Sequence, residues 1–361
     1  MKSASTKENN MDNSMGKFMQ RKIFIKPYDR MIEDIIKEIG TKIILDPDYQ
    51  RNYIWGNDKA SKLVESILLN IPIPVIYASE DEEGRWIIID GLQRLNSLKR
   101  FFDGEFKLTG LETLDFLNGY KFHNLEQSIQ NKFSRGELRI IVLQNDSDPN
   151  IKFDIFMRLN QGAVSLNQQE LRNCLYRGKL NDLIKSLVKE NEYIKILFKH
   201  GKTDRMIANE HILRYWALSN SFNKNTLTID KYDGRIKNLL NDFMKENQNP
   251  TNGLLNLLEE KFECQIKKAY SVFEKNAFKT DNKIMTSKIN ASLFDCVMIS
   301  FEDYSLNDLL TNKQDIIKMT NRLIQEQSFK ESITKATGNT SAINYRLSTY
   351  ISSLKDVMTN A

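Results

Sequence analysis

A chain of 361 residues, 40% hydrophobic and 27% charged, is long enough to bury one large core or two ordinary ones. It holds no apolar run near the roughly 20 residues of a membrane helix, and its first 22 residues are polar with no apolar signal core. Membrane insertion and export are therefore not expected, and a cytoplasmic location is. The 52 basic and 47 acidic residues leave a net charge of +5, which permits an anionic partner without requiring one.

The cysteines Cys174, Cys264 and Cys296 form no C-x-x-C pair and read as reduced thiols. The histidines His123, His200 and His211 have no metal-binding spacing, so neither a zinc site nor a His-dependent triad is expected.

Residues 1–22 read as a flexible lead-in. Residues 28–39 (YDRMIEDIIKEI) carry apolar side chains at helical spacing and stop at Gly40, which predicts a helix. An extended IIL follows, then an irregular aromatic and polar stretch from Asp46 to Trp55. Asn57 is placed to cap a helix reaching about Asn70, ended by Ile71-Pro72-Ile73-Pro74. Val75–Ser79 and Trp86–Ile89, joined by a charged turn at Gly84, read as a β-hairpin. Asp90 then opens a helix to about Phe102. Short helices are expected within 111–117 and 125–133, and a strand at Leu138–Leu143. Beyond Pro149 the pattern is helical, most clearly at 151–159, 168–176, 180–189, 210–218, 254–273, 289–301 and 343–357. The organisation is α+β, with an α/β domain over 23–148 and an all-helical domain over 149–361.

The segment Ile87–Leu95, IIIDGLQRL, runs three β-branched residues straight into polar chemistry. With Asp90 as N-cap, the next backbone N–H groups face outward at the positive end of a helix dipole, and Gly91 lets a ligand come close. Asp90, Gln93 and Arg94 then share one end of a helical face. Arg94 suits phosphate, Gln93 a sugar or base edge, and Asp90 a divalent cation or a water. The plain alternative is a capped surface helix with an exposed arginine. Tyr49, Gln50, Arg51 and Tyr53, with Trp55, offer stacking and phosphate contacts for DNA, or else pin a loop to the core. Arg158 and Asn160, on a helix capped by Asp148, are placed to close a nucleotide site. Glu170 and Arg172 read equally well as a solvated pair.

Asp90-Gly91-Leu92-Gln93-Arg94-Leu95-Asn96-Ser97-Leu98 resembles the D-G-x-Q-R-x-x-[T/S]-L signature of the GmrSD restriction endonuclease N-terminal domain family, which includes SspE-like phage-defence proteins. Two more blocks match: Pro47 to Trp55, and Phe156 to Gly162 followed by Leu166 to Asn173. The resemblance implies a ParB/sulfiredoxin-like fold for the N-terminal domain. It further implies a nucleoside triphosphate hydrolysed with Asp90, Gln93 and Arg94 as catalytic residues, and Gly91, Ser97, Arg158 and Asn160 lining the nucleotide. Mg2+ would be an optional companion, held by Asp90. DNA, in a modified form, would be sensed through Tyr49, Gln50 and Arg51. Leu92 departs from the glutamine that many members carry there. No histidine follows His211, so an HNH nuclease half is not expected, and any DNA cleavage is left to the front domain, to a partner nuclease chain, or does not occur. The expected function is an NTP-hydrolysing, modification-responsive protein of an anti-phage restriction system. The alternatives are a non-catalytic DNA-binding sensor subunit and direct nicking by the front domain, with homo-oligomerisation left open.

Overall fold

The computed structural model describes residues 23–45, 55–159, 167–198, 206–280 and 289–359. The chain divides into two compact units, Met1–Leu175 and Tyr176–Ala361. The first is a mixed α/β unit and the second is almost wholly helical, as the sequence pattern predicts.

The first unit is organised by a five-stranded sheet in the order β1-β5-β3-β4-β2. Its strands are β1 (Ile25–Met31), β2 (Ile43–Ile44), β3 (Ile76–Glu80), β4 (Trp86–Asp90) and β5 (Glu137–Leu143). β1 is antiparallel to β5, β5 parallel to β3, β3 antiparallel to β4 and β4 parallel to β2. The hairpin expected around Gly84 is therefore β3–β4.

One sheet face is covered by α1 (Ile32–Glu38), α2 (Asn57–Leu68), α3 (Leu92–Phe102) and α4 (Gln127–Ser134). Their buried side chains, among them Ile35, Val64, Leu98 and Phe133, pack on Ile76, Ile88 and Ile140. Phe101 sits at the centre, with its ring 5.4–5.8 Å from those of Phe106, Phe122 and Phe133. The opposite face is covered by α5 (Pro149–Leu159) and α6 (Gln168–Leu175). Phe153, Phe156, Leu171 and Cys174 form a second core there with Ile87, Ile89 and Leu143.

This double cover explains the unbroken isoleucine run. Side chains alternate across a strand, so Ile88 enters one core while Ile87 and Ile89 enter the other. It also moves the unit boundary from the expected 148/149 to Leu175/Tyr176, because α5 and α6 complete the sheet's second core.

Residues 28–31 are strand rather than the first turn of a helix. Pairing of Tyr28 with Ile140 and Asp29 with Arg139, and the Tyr28 ring 4.7 Å from that of Trp86, override the local helical spacing. α1 therefore starts at Ile32 and ends before Gly40. Within 111–125 only short 3-10 turns form, Asp115–Leu117 and Phe122–Asn124. Glu65 organises that region, its carboxylate accepting the backbone N–H groups of Thr113 and Leu114 at 2.9 and 2.8 Å.

The second unit contains α7 (Lys179–Glu190), α8 (Glu192–Leu197), α9 (Ile207–Ser221), α10 (Ile236–Glu246), α11 (Asn252–Phe273) and α12 (Ala291–Ser300). It continues with α13 (Leu306–Thr311), α14 (Lys313–Gln325), α15 (Gln327–Thr334) and α16 (Thr340–Thr359). A small antiparallel hairpin, β6 (Phe222–Asn223) with β7 (Thr228–Ile229), interrupts the helices. At its heart the Asp295 carboxylate accepts Nε and Nη2 of Arg214, both at 2.7 Å, and Nη2 of Arg346 at 3.1 Å. No described helix is long and apolar enough to cross a membrane.

Candidate functional site

The expected polar constellation lies where β4 hands over to α3. Asp90 is the last residue of β4 and Gly91 is the N-cap, with φ 99° in the left-handed region. Asp90 is therefore not the helix cap: that position belongs to Gly91, which has no side chain to cap with.

Glycine at 91 is demanded by packing as well as by dihedral angle. A Cβ there would lie 2.8 Å from Ile76 Cγ1 and 3.3 Å from Arg94 Nη2. The missing side chain thus first serves the close approach of β3 to the turn. Across the hairpin the register shifts between Tyr77, which pairs with Asp90, and Ala78. Such a bulge bends the strand end and re-aims its side chains.

Arg94 turns inward rather than into solvent. Its Nη2 donates to Asp90 Oδ2 at 2.8 Å and to the Val75 carbonyl at 3.3 Å, and its Nη1 donates to the Pro74 carbonyl. The Arg94 side chain is 11% exposed and that of Asp90 39%. Burial lowers the guanidinium's affinity for its proton, and the Asp90 carboxylate opposes that shift. One fork thus joins the strand end, the helix start and the chain entering β3.

The structure brings Asp90, Gly91 and Arg94 together. Gln93 is on the first turn of the same helix. Ser97 is fully buried, and its hydroxyl donates to the Gln93 carbonyl at 2.7 Å, so it braces that turn from beneath. Arg158 is exposed on the last turn of α5. Tyr49, Gln50, Arg51, Tyr53 and Asn160 lie outside the described residues. Trp55 packs against the first core with Lys59 Nζ 4.4 Å from its ring centre.

A divalent cation is poorly served by the side chains in view. Among the described residues no group of three or more His, Cys, Asp and Glu is placed to hold a metal ion. Asp90 supplies one carboxylate already paired with a guanidinium, so a cation here would need ligands beyond the described side chains.

The sequence missed the buried polar system on α6. Glu170 and Arg172 are not a solvated pair: they are 4% and 0% exposed. Glu170 Oε2 accepts the Asn167 N–H and Asn167 Oδ1 accepts the Glu170 N–H, both at 2.8 Å, a reciprocal cap at the helix start. Arg172 donates to the side-chain oxygens of Gln169 at 3.0 Å and Gln168 at 3.3 Å, with its guanidinium 5.6 Å from the centre of the Phe153 ring. The signal was the spacing of 168, 169, 172 and 173, but polar residues at i, i+3 and i+4 look the same on a wet face.

Residues 32–177 match the family model described as GmrSD restriction endonuclease, N-terminal domain. No curated protein matches the chain. A solved structure of a Pnob8-like ParB-N domain matches at 14% identity over 94% of this chain and 99% of its own, with a TM-score of 0.23, too low to establish a shared fold.

Proposed function

Residues 32–177 match the model of the GmrSD restriction endonuclease N-terminal domain, and from that premise we propose that the protein acts on DNA in a restriction or defence system, using the Asp90–Arg94 turn as a nucleotide-phosphate site. The supporting observation is a strand-to-helix turn that brings the Asp90 carboxylate and the Arg94 guanidinium together at a glycine N-cap, inside the matched segment. Hydrolysis is assigned to Asp90, which would position water or the cation of a metal–nucleotide complex. Gln93 would contact sugar or base, and Arg94 would stabilise phosphate charge. Tyr49, Gln50, Arg51 and Tyr53 are proposed to read modified DNA, and Arg158 and Asn160 to close over the nucleotide.

The test is a panel of nucleoside triphosphates assayed for phosphate release with unmodified and modified DNA, wild type beside Arg94→Ala. Release that depends on nucleotide and disappears in the variant supports the reading. No release under any condition rejects catalysis.

A second reading has its own support: Arg94 is held by three protein acceptors. This suits a non-hydrolysing, DNA-binding sensor that recruits a separate nuclease chain. It requires salt-sensitive DNA binding that weakens in Arg51→Ala while nucleotide stays intact.

A further inference from the structure

The Asp90–Arg94 pair has an asymmetry that bears on how the site is regulated. Arg94 is anchored from behind by the Pro74 and Val75 carbonyls and is 11% exposed, whereas Asp90 ends its strand with a side chain 39% exposed. The carboxylate has room to leave and the guanidinium does not. A carboxylate oxygen and a phosphate oxygen present the same kind of acceptor to an N–H donor.

Resting on the nucleotide reading of this turn, we infer that Asp90 is the site's built-in competitor. It occupies Arg94 in the resting protein and is displaced by an incoming nucleotide phosphate. The exchange keeps the two carbonyl anchors, so the guanidinium does not travel. It breaks one charge-assisted bond and makes another. It also frees the Asp90 carboxylate only when phosphate has arrived, so the group assigned to position water or cation is withheld from an empty site. The resting pair is thereby an autoinhibitory contact within D-G-x-Q-R.

The sign of one measurement separates this arrangement from a purely supportive role for Asp90. ATP binding to the full chain is measured by calorimetry in EDTA, with no divalent cation to bridge carboxylate and phosphate. Removing the competing charge in Asp90→Asn tightens binding about threefold or more, the effect of deleting one screened charge a few ångströms from an anion. Asp90→Ser, which also removes the planar acceptor, tightens it as well and serves should the first variant fail to unfold cooperatively. Equal or weaker ATP binding in both variants overturns the inference, while binding by wild type alone would preserve the nucleotide site. If neither wild type nor variant binds ATP or inorganic triphosphate, the nucleotide reading falls and the inference with it.

Discussion

The Asp90 carboxylate and the Arg94 guanidinium meet at 2.8 Å across the first turn of α3, and the same guanidinium reaches back to the carbonyls of Pro74 and Val75. A four-residue spacing that looks like a local surface pair is thus also a tertiary fastening between β3, β4 and α3. Replacing Arg94 with alanine leaves a carboxylate and two carbonyls without their donor. A loss of about 1–3 kcal/mol is expected, read as a lower denaturant midpoint. Arg94→Lys recovers only part of it, since an ammonium lacks the planar fork.

Gly91→Ala destabilises through both backbone and contact. The left-handed φ of 99° costs about 1 kcal/mol in alanine, and the 2.8 Å approach to Ile76 adds about 1–3 kcal/mol of overpacking. Gly84→Ala is the control: its φ is 75° but nothing lies within 4 Å of the added carbon. The difference between the two variants in chemical unfolding isolates the Ile76 contact, and equal losses would remove it.

His211 gives the protein an acid sensitivity above the carboxylate range. Burial holds its imidazole below the ordinary value of 6.5, helped by the Arg214 charge, although the Ile207 carbonyl at 2.8 Å pulls the other way. Because the folded-state value is depressed, the unfolded chain takes up the proton first. Stability is constant above pH 6.5 and falls as pH drops below it, towards a limiting slope of about 1.4 kcal/mol per pH unit. His211→Phe, placed between the rings of Phe198 and Phe294, flattens the profile between pH 6.5 and 5.5. A retained slope assigns the effect to another group.

Asp295 neutralises two buried guanidiniums, so Asp295→Asn leaves Arg214 and Arg346 without their counter-charge. The expected loss is about 3–5 kcal/mol, enough to unfold the second unit at moderate temperature. Asp29→Asn removes an equally well-formed partner from Arg139 at the surface and leaves the thermal midpoint nearly unchanged, because water solvates both groups. Similar midpoints for the two variants would show that burial at Asp295 carries no special cost.

Periodicity found the hairpin, α3 and the long helices α11 and α16 because their burial patterns are continuous. It gave the region of α8, α10 and α13 to α15 as helical without marking their separate bounds, since most are short elements whose apolar stripe is completed by neighbours. α13 did carry a readable start: Ser305 and Asp308 form a capping box. At the candidate site, the residue types of D-G-L-Q-R and their place at a strand-to-helix turn were legible. The identity of the cap was not, because Asp90 and Gly91 are both acceptable caps until the strand's last pairing with Tyr77 is known.

Side-chain alternation and helical spacing are local properties of the chain, and they suffice to specify a buried strand running through a glycine into an amphipathic helix. The tertiary structure alone decided which way Arg94 points. It also made 28–31 a strand and buried Arg172. Those outcomes depend on the Pro74 and Val75 carbonyls, on β5 more than a hundred residues from β1, and on the ring of Phe153. An arginine's partner is chosen by whatever the folded chain brings within hydrogen-bond reach, which spacing along the sequence does not encode.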